Sequence, residues 1–247
     1  MVSNKALRNI YANYRAMKHG FWFYRTKNFT IPKSITIGGT KKSIKANHEM
    51  SKMFMEIFLY DEYFLRKLKT ESIKTIIDIG ANVGIFSITA CSFFPNSIIH
   101  SYEPNPDIYK VLLLNGDEFN FESVCAAIGS KSCSGKLIQE GTAGCLSKFI
   151  INEKGHDRML AFEQILNRQG TSHIDLVKID CEGCEYDLLK QREVWDDVKF
   201  LTMEFHENDL DSVSKILAKI NYKVIYSMTY PFYTGIVLAK NLNFSRK

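Results

Sequence analysis

From Thr75 onward the chain alternates short apolar runs with segments of helical spacing, the order expected of a parallel sheet covered by helices. The runs occupy residues 75–79, 98–102, 123–128, 174–179 and 200–205. Between them, residues 85–94 and 108–114 repeat their apolar positions every three or four residues. Asn105-Pro106-Asp107 supplies a cap, a first-turn proline and an acid at the start of the second of these helices. A further helix carries Leu210, Val213, Ile216, Leu217 and Ile220. It is followed by apolar residues 222–227, a turn containing Pro231, and apolar residues 235–239. Two strands joined by so short a turn must run antiparallel. The pattern therefore predicts a mostly parallel α/β sheet of seven strands that closes on an antiparallel hairpin.

The first seventy residues read differently. Leu7, Ile10, Tyr11, Tyr14, Met17 and Phe21 recur at helical spacing, with Lys5, Arg8, Arg15 and Lys18 on other faces, which predicts an amphipathic helix. That helix either packs on the core or serves as a lid over a ligand site or as a contact for a lipid-linked, peripheral-membrane substrate. Ile35-Thr36-Ile37-Gly38-Gly39-Thr40 reads as a hairpin, and residues 49–68 as one or two more helices. The expected division is a helical and hairpin extension over 1–70 and a catalytic domain over 71–247.

Composition adds boundaries to this picture. With 45% hydrophobic and 24% charged residues in 247, the chain is an ordinary globular one with enough length for a single substantial core. The net charge of +5 tolerates an anionic partner but is too small to require nucleic acid. No apolar run approaches the roughly 18 residues that span a bilayer, so a cytoplasmic location is expected. The six cysteines lack the dense framework of a secreted scaffold and are expected to be reduced; Cys181 and Cys184 form a lone C-x-x-C without a second ligand pair for zinc.

Candidate chemistry gathers at the ends of the predicted strands. Asp78-Ile79-Gly80-Ala81-Asn82-Val83-Gly84 is a buried strand ending in an acid and a glycine-bearing turn that opens a helix. There the backbone can approach a ligand and free N–H groups face it. The spacing is G-x-x-x-G, unlike the nicotinamide fingerprint. Glu103 ends the next strand, 23 positions after Gly80, where a carboxylate can accept hydrogen bonds from ribose hydroxyls. Asp180 and Glu182 follow the strand that carries Lys178, with Glu185 read as a helix cap; Glu204 and His206 end the next strand on one face. Asp180, Glu204 and His206 could form either a general-base cluster or a divalent-cation site, and a buried Glu–His hydrogen bond is the simpler alternative for the last two.

These ordered motifs, Asp78 to Gly84, Glu103-Pro104-Asn105-Pro106 with Tyr109 and Leu113, and Lys178 to Glu185, resemble the FkbM family of methyltransferases. The resemblance spans roughly residues 72–207. It implies a class I methyltransferase Rossmann-like fold, S-adenosyl-L-methionine as cofactor, and O-methylation of a sugar, glycan, glycolipid or related metabolite. By position, Asp78, Gly80, Ala81, Asn82 and Gly84 would hold the methionyl part of the cofactor, and Glu103 with Asn105 its ribose end. Asp180, Glu182, Glu204 and His206 would face the acceptor. Cys181 and Cys184 depart from the small or apolar residues usual in the family.

Two other readings compete. Base-modifying nucleic-acid enzymes of this fold commonly carry Asn/Asp-Pro-Pro-aromatic after the fourth strand, where this chain has Asp180-Cys181-Glu182-Gly183, so no nucleic-acid partner is expected. A non-catalytic nucleotide-binding module would need no strand-end acids.

Overall fold

The computed structural model describes residues 5–23, 29–140, 146–152, 155–167, 173–181, 183–206, 208–231 and 234–244. The chain begins with α1 (Lys5–Lys18), then β1 (Ser34–Ile37) and β2 (Thr40–Ser43), and α2 (Ser51–Phe54) running directly into a π-helical turn, Met55–Leu59. The next elements are β3 (Thr75–Ile79), α3 (Ile85–Phe93), β4 (Ile98–Tyr102), α4 (Pro106–Phe119) and β5 (Glu122–Val124). They are followed by β6 (Ala127–Gly129), β7 (Cys133–Glu140), β8 (Leu146–Ile151), β9 (Asp157–Ala161), α5 (Phe162–Asn167) and β10 (Ile174–Ile179). The chain closes with α6 (Glu185–Leu189), β11 (Val198–Phe205), α7 (Leu210–Ala218), β12 (Tyr222–Tyr230) and β13 (Thr234–Asn241).

Seven strands form the main sheet in the order β12-β13-β11-β10-β3-β4-β5. Every pairing from β5 to β11 is parallel, and β13 enters antiparallel between β11 and β12. The fold is the predicted one, a Rossmann-like α/β sheet with a terminal antiparallel hairpin. The chain leaves β3 toward β4 on one side, while β10 and β11 lie on the other, so the crevice at the carboxyl ends of β3 and β10 is the switch point where such sheets bind ligands. α4 starts where its cap predicts: the Asn105 side chain accepts from the N–H groups of Asp107 and Ile108, at 3.0 and 3.4 Å.

Two segments differ from the pattern-based expectation. Residues 123–128 do not make one strand; the chain bends after Val124, where Ala126 N–H bonds back to the Val124 carbonyl at 3.1 Å, and β6 joins a second sheet. The other three strands of that four-stranded sheet, β6-β9-β7-β8, fall where no strand is predicted. The alternation of β7 is blunted because Gly135 occupies its buried position between exposed Ser134 and Lys136. The amphipathic α1 is also turned over. Ala12, Ala16 and Arg15 face the protein, while Leu7, Ile10, Tyr14 and Met17 face outward.

The N-terminal residues share the core of the sheet. Ala12, Ala16, Phe54 and Phe58 belong to one buried cluster with Ile76, Phe86, Ile88 and Leu238. A second cluster, containing Val177, Leu201, Trp195 and Val213, fills the opposite face. Phe54 and Phe58 stack at 4.8 Å between ring centroids, and His19 meets Phe58 edge-on at 5.0 Å, which locks α1 and the π-helical turn together.

Candidate active site

The turn after β3 is shaped by three left-handed residues, Gly80, Asn82 and Gly84, with φ of 72°, 51° and 89°. Gly80 has no substitute: a Cβ there would fall 1.7 Å from the Asp180 carbonyl oxygen, so the turn after β3 and the end of β10 can touch only through a glycine. Gly80 and Ala81 N–H groups both donate to the Tyr102 carbonyl, at 3.0 and 2.9 Å, which fastens the turn to the end of β4.

Glu103 stands at that end, almost fully buried. One carboxylate oxygen accepts from Asn82 N–H and the other from Asn105 N–H, both at 2.9 Å. Burial pushes its pKa up, and these two N–H groups, followed by the Lys178 charge, pull it back. The predicted ribose-binding acid is thus fixed by the glycine-bearing turn on one side and the α4 cap on the other.

Under the turn lies a buried ion cluster. Lys178 Nζ stands 3.1 Å from Asp78 Oδ1 and 3.7 Å from Asp180 Oδ2, and donates to the Gly80 carbonyl at 2.7 Å. Ser87 Oγ donates to Asp78 Oδ2 at 2.7 Å. Burial opposes the lysine charge, yet Asp78 and Asp180 hold the Lys178 pKa above the ordinary lysine value, so the ammonium is retained.

Tyr63 completes this cluster and is missed by the strand-end motifs. Its hydroxyl donates to Asp180 Oδ2 at 2.8 Å and lies 3.5 Å from Glu204 Oε2. The flanking residues Asp61 and Phe64 take left-handed conformations, with φ of 57° and 61°. The Asp61 carboxylate accepts from Leu65 and Arg66 N–H, at 2.9 Å each, which makes the tight turn that presents Tyr63. Thr202 Oγ1 donates to the Tyr63 carbonyl at 3.2 Å and ties the turn to β11. Burial, then the charges of Asp180 and Glu204, raise the Tyr63 pKa well above the usual phenol, so it stays a donor. The signal present in the sequence is the polar break Asp61-Glu62 inside an otherwise apolar helical pattern.

These groups border a cleft of about 1090 Å³. Of the predicted residues, Gly80, Ala81, Asn82, Glu103, Asp180 and Glu204 line it. Asp78, Gly84 and Asn105 stand behind them and shape the turns. His206 does not reach the wall; its Nε2 stands 3.7 Å from Glu204 Oε1, and Tyr186 donates to its carbonyl at 3.2 Å. Glu182 lies outside the described residues.

Two expectations are corrected here. Cys181 and Cys184 are joined by a disulfide, with Cα atoms 5.6 Å apart, where reduced thiols were expected. The Glu185 carboxylate accepts from the N–H groups of Cys181 and Gly183, at 3.2 and 2.8 Å, and Gly183 takes φ 119°; this folds the loop back until the sulfurs meet. Glu185 therefore organises the loop before α6 and does not cap the helix as read from the sequence, since α6 has no side-chain cap. The divalent-cation alternative at Asp180, Glu204 and His206 is also not assembled. No group of three or more His, Cys, Asp or Glu among the described residues is arranged to hold a metal, and the position beside Asp180 is taken by the Lys178 ammonium and the Tyr63 hydroxyl.

Residues 78–224 match the family model of the methyltransferase FkbM domain, more than half of the chain. The chain belongs to the FkbM methyltransferase family. It is an S-adenosylmethionine-dependent methyltransferase. Comparison with curated protein sequences returns no match. Among solved structures, the FkbM chain is similar to the METTL16 methyltransferase domain at 11% identity and a TM-score of 0.52, covering 83% of this chain and 74% of that one. It is also similar to TrmK of M. capricolum in complex with S-adenosylhomocysteine, at 12% identity and a TM-score of 0.46, covering 74% and 69%. The precorrin-6y C5,15-methyltransferase of Geobacter metallireducens aligns at 15% identity and a TM-score of 0.42, covering 87% and 93%. At these identities the METTL16 likeness speaks to the fold alone. No helix among the described residues of the FkbM chain is long and apolar enough to cross a membrane.

Proposed function

We propose that this FkbM-family enzyme methylates a hydroxyl oxygen of a small molecule, sugar, glycan, glycolipid or related metabolite. The observation that supports this reading over a nucleic-acid acceptor is the charge of the cleft wall. Among the described residues, Glu56, Glu62, Glu103, Asp180, Asp187 and Glu204 line it against only Lys52 and Lys178. A wall with that balance repels a phosphate backbone, whereas neutral hydroxyl groups can donate to its carboxylates.

The residues present fit the cofactor. Glu103 reaches the cleft with its carboxylate already held by two backbone N–H groups, which leaves lone pairs for ribose hydroxyls. Gly80, Ala81 and Asn82 offer a close backbone approach beside it; Asp78, Gly84 and Asn105 fix their positions from behind. When bound, the cofactor supplies an electrophilic methyl on a cationic sulfonium, a charge that suits the acidic wall.

The chain's own part is to orient the acceptor hydroxyl and receive its proton. Of the carboxylates lining the cleft, Asp180 and Glu204 are the two that follow or end the adjacent strands β10 and β11. Tyr63 holds Asp180 by a hydrogen bond, Lys178 holds it by charge, and His206 positions Glu204 from behind. The space fits this assignment, since about 1090 Å³ exceeds what one drug-sized ligand fills and leaves room for cofactor and acceptor together.

The deciding experiment offers the full chain a labelled methyl donor with a panel of hydroxylated acceptors (free sugars, oligosaccharides and glycolipids) and with RNA. The expected product is a methyl ether on a hydroxylated acceptor. Transfer to RNA with none to any hydroxylated acceptor would sink the reading.

A further inference from the structure

Helix α1 is built inside out. Its protein-facing side carries the small residues Ala12 and Ala16, both 0% exposed, and the buried Arg15, while its large apolar residues point to solvent. Leu7, Ile10, Tyr14 and Met17 are 63%, 64%, 62% and 58% exposed, and Trp22 just beyond the helix is 70% exposed. The four helix positions, spaced three and four apart, make one continuous stripe along α1. Such a stripe costs solubility unless something covers it.

The charge around the stripe indicates what covers it. The first 50 residues hold ten Lys and Arg against the single acid Glu49, a balance of +9; the whole chain holds 32 against 27, so the remainder holds 22 against 26, a balance of −4. Cations from beyond the helix also gather at its flank. The Arg66 guanidinium lies 4.1 Å from the Tyr11 ring centroid, and Lys69 Nζ shares the Phe93 ring with Arg15, at 5.2 and 4.2 Å. Burial and then the nearby charges of Lys18, Arg15 and Arg66 push the Lys69 pKa down, as expected for a cation crowded by others. Lys18, Arg66 and Lys69 are all exposed.

We propose that α1 docks on an anionic lipid bilayer, with Leu7, Ile10, Tyr14, Met17 and Trp22 entering the interface and Lys18, Arg66 and Lys69 meeting the headgroups. An apolar helix face rimmed by cations and followed by tryptophan has the chemistry of an interfacial helix. A second copy of the chain fits less well. Two-fold pairing of the stripe with itself would set each cationic rim against an identical one. The docking helix is also tied to the cleft: Arg8 of α1 bonds to Glu62, and Glu62 and Tyr63 line the cleft. This inference does not depend on which hydroxyl compound is methylated, because its readout is binding.

The test is sedimentation of the full chain with vesicles of phosphatidylcholine mixed with phosphatidylglycerol, and with vesicles of phosphatidylcholine alone. Binding is expected to the mixed vesicles, weakened by salt, and much less to the neutral ones. The double variant Ile10→Glu, Met17→Glu should lower partitioning by about tenfold or more. Lys69→Ala should lower it roughly fivefold, the contribution of one basic residue near an anionic surface. All three sites are exposed, so far-ultraviolet circular dichroism and the thermal midpoint should match the parent. Failure of the parent to bind, equal binding by the double variant, or a dimer that the double variant dissociates without any lipid binding would overturn the proposal.

Discussion

The Tyr63 hydroxyl donates to the Asp180 carboxylate across 2.8 Å, joining the N-terminal segment to the end of β10 at the wall of the cleft. Because Tyr63 keeps its proton, this is a one-way bond that holds the carboxylate in place without neutralising it. Tyr63→Phe should therefore lower kcat roughly 10- to 100-fold, the range for one hydrogen bond to a charged group. Asp180→Asn should lower it about 10²- to 10⁴-fold if Asp180 receives the acceptor proton. Both should leave the affinity for S-adenosylhomocysteine unchanged in calorimetry. Full activity of Asp180→Asn at saturating acceptor would make the cluster a structural one, with catalysis resting on proximity alone.

Glu103 makes the opposite kind of prediction. Its two oxygens are already fixed by backbone donors, so its rotamer is set before any ligand arrives. Glu103→Ala should weaken S-adenosylhomocysteine by about 1.5–3 kcal/mol, the loss of charge-assisted hydrogen bonds to ribose. Glu103→Gln should lose less, because an amide keeps one acceptor. An Ala variant that binds as tightly as the parent would confine Glu103 to holding the turn.

What the sequence makes legible is what local physics decides. Asn105 caps α4 because its side chain meets the N–H groups two and three residues on, a relation readable from Asn-Pro-Asp. Gly80, Glu103, Asp180 and Glu204 reach one cleft because parallel strands put their carboxyl ends on one edge. Tyr63 is not legible in this way. It arrives from outside the strand-end motifs, carried by an Asp61 turn whose purpose appears only once β11 stands beside it. The sulfur pair is hidden for the same reason, since C-x-x-C spacing permits a bond that Gly183 and Glu185 then bring about. The outward stripe of α1 is the sharpest case. Periodicity reports that a helix has an apolar face and leaves open which solvent that face meets.

Lys178 and Asp78 are both essentially removed from water, so neither can lose its partner cheaply. Lys178→Met should destabilise the fold by about 3–5 kcal/mol, since it leaves the Asp78 carboxylate buried and uncompensated. Adding Asp78→Asn to Lys178→Met should restore part of that loss, because the stranded charge is then gone. Chemical denaturation of the two variants and the parent measures both steps. A double variant no more stable than Lys178→Met would show that the lysine acts through packing or the Gly80 carbonyl.

His19 links stability to pH through burial. Its ring nitrogen Nδ1 is 2.7 Å from the Thr36 carbonyl, and burial pushes its pKa down from 6.5 to about 4. A depressed histidine pKa means the unfolded chain binds the proton first, so the contribution is complete above pH 6.5 and is lost as pH falls toward 4. By pH 5 the loss amounts to about 2 kcal/mol. Asp61 works in the other direction: burial raises its pKa from 3.8 to about 6, so its contribution is complete below 3.8 and is lost as pH rises through 6. The two partly cancel in the parent, and a variant is needed to separate them. His19→Gln keeps a donor for Thr36 but cannot titrate. The stability difference between parent and His19→Gln, measured by denaturant unfolding, should therefore shift in favour of the variant by about 2 kcal/mol between pH 7 and pH 5. A difference that stays constant over that range would mean His19 takes up its proton without leaving the core.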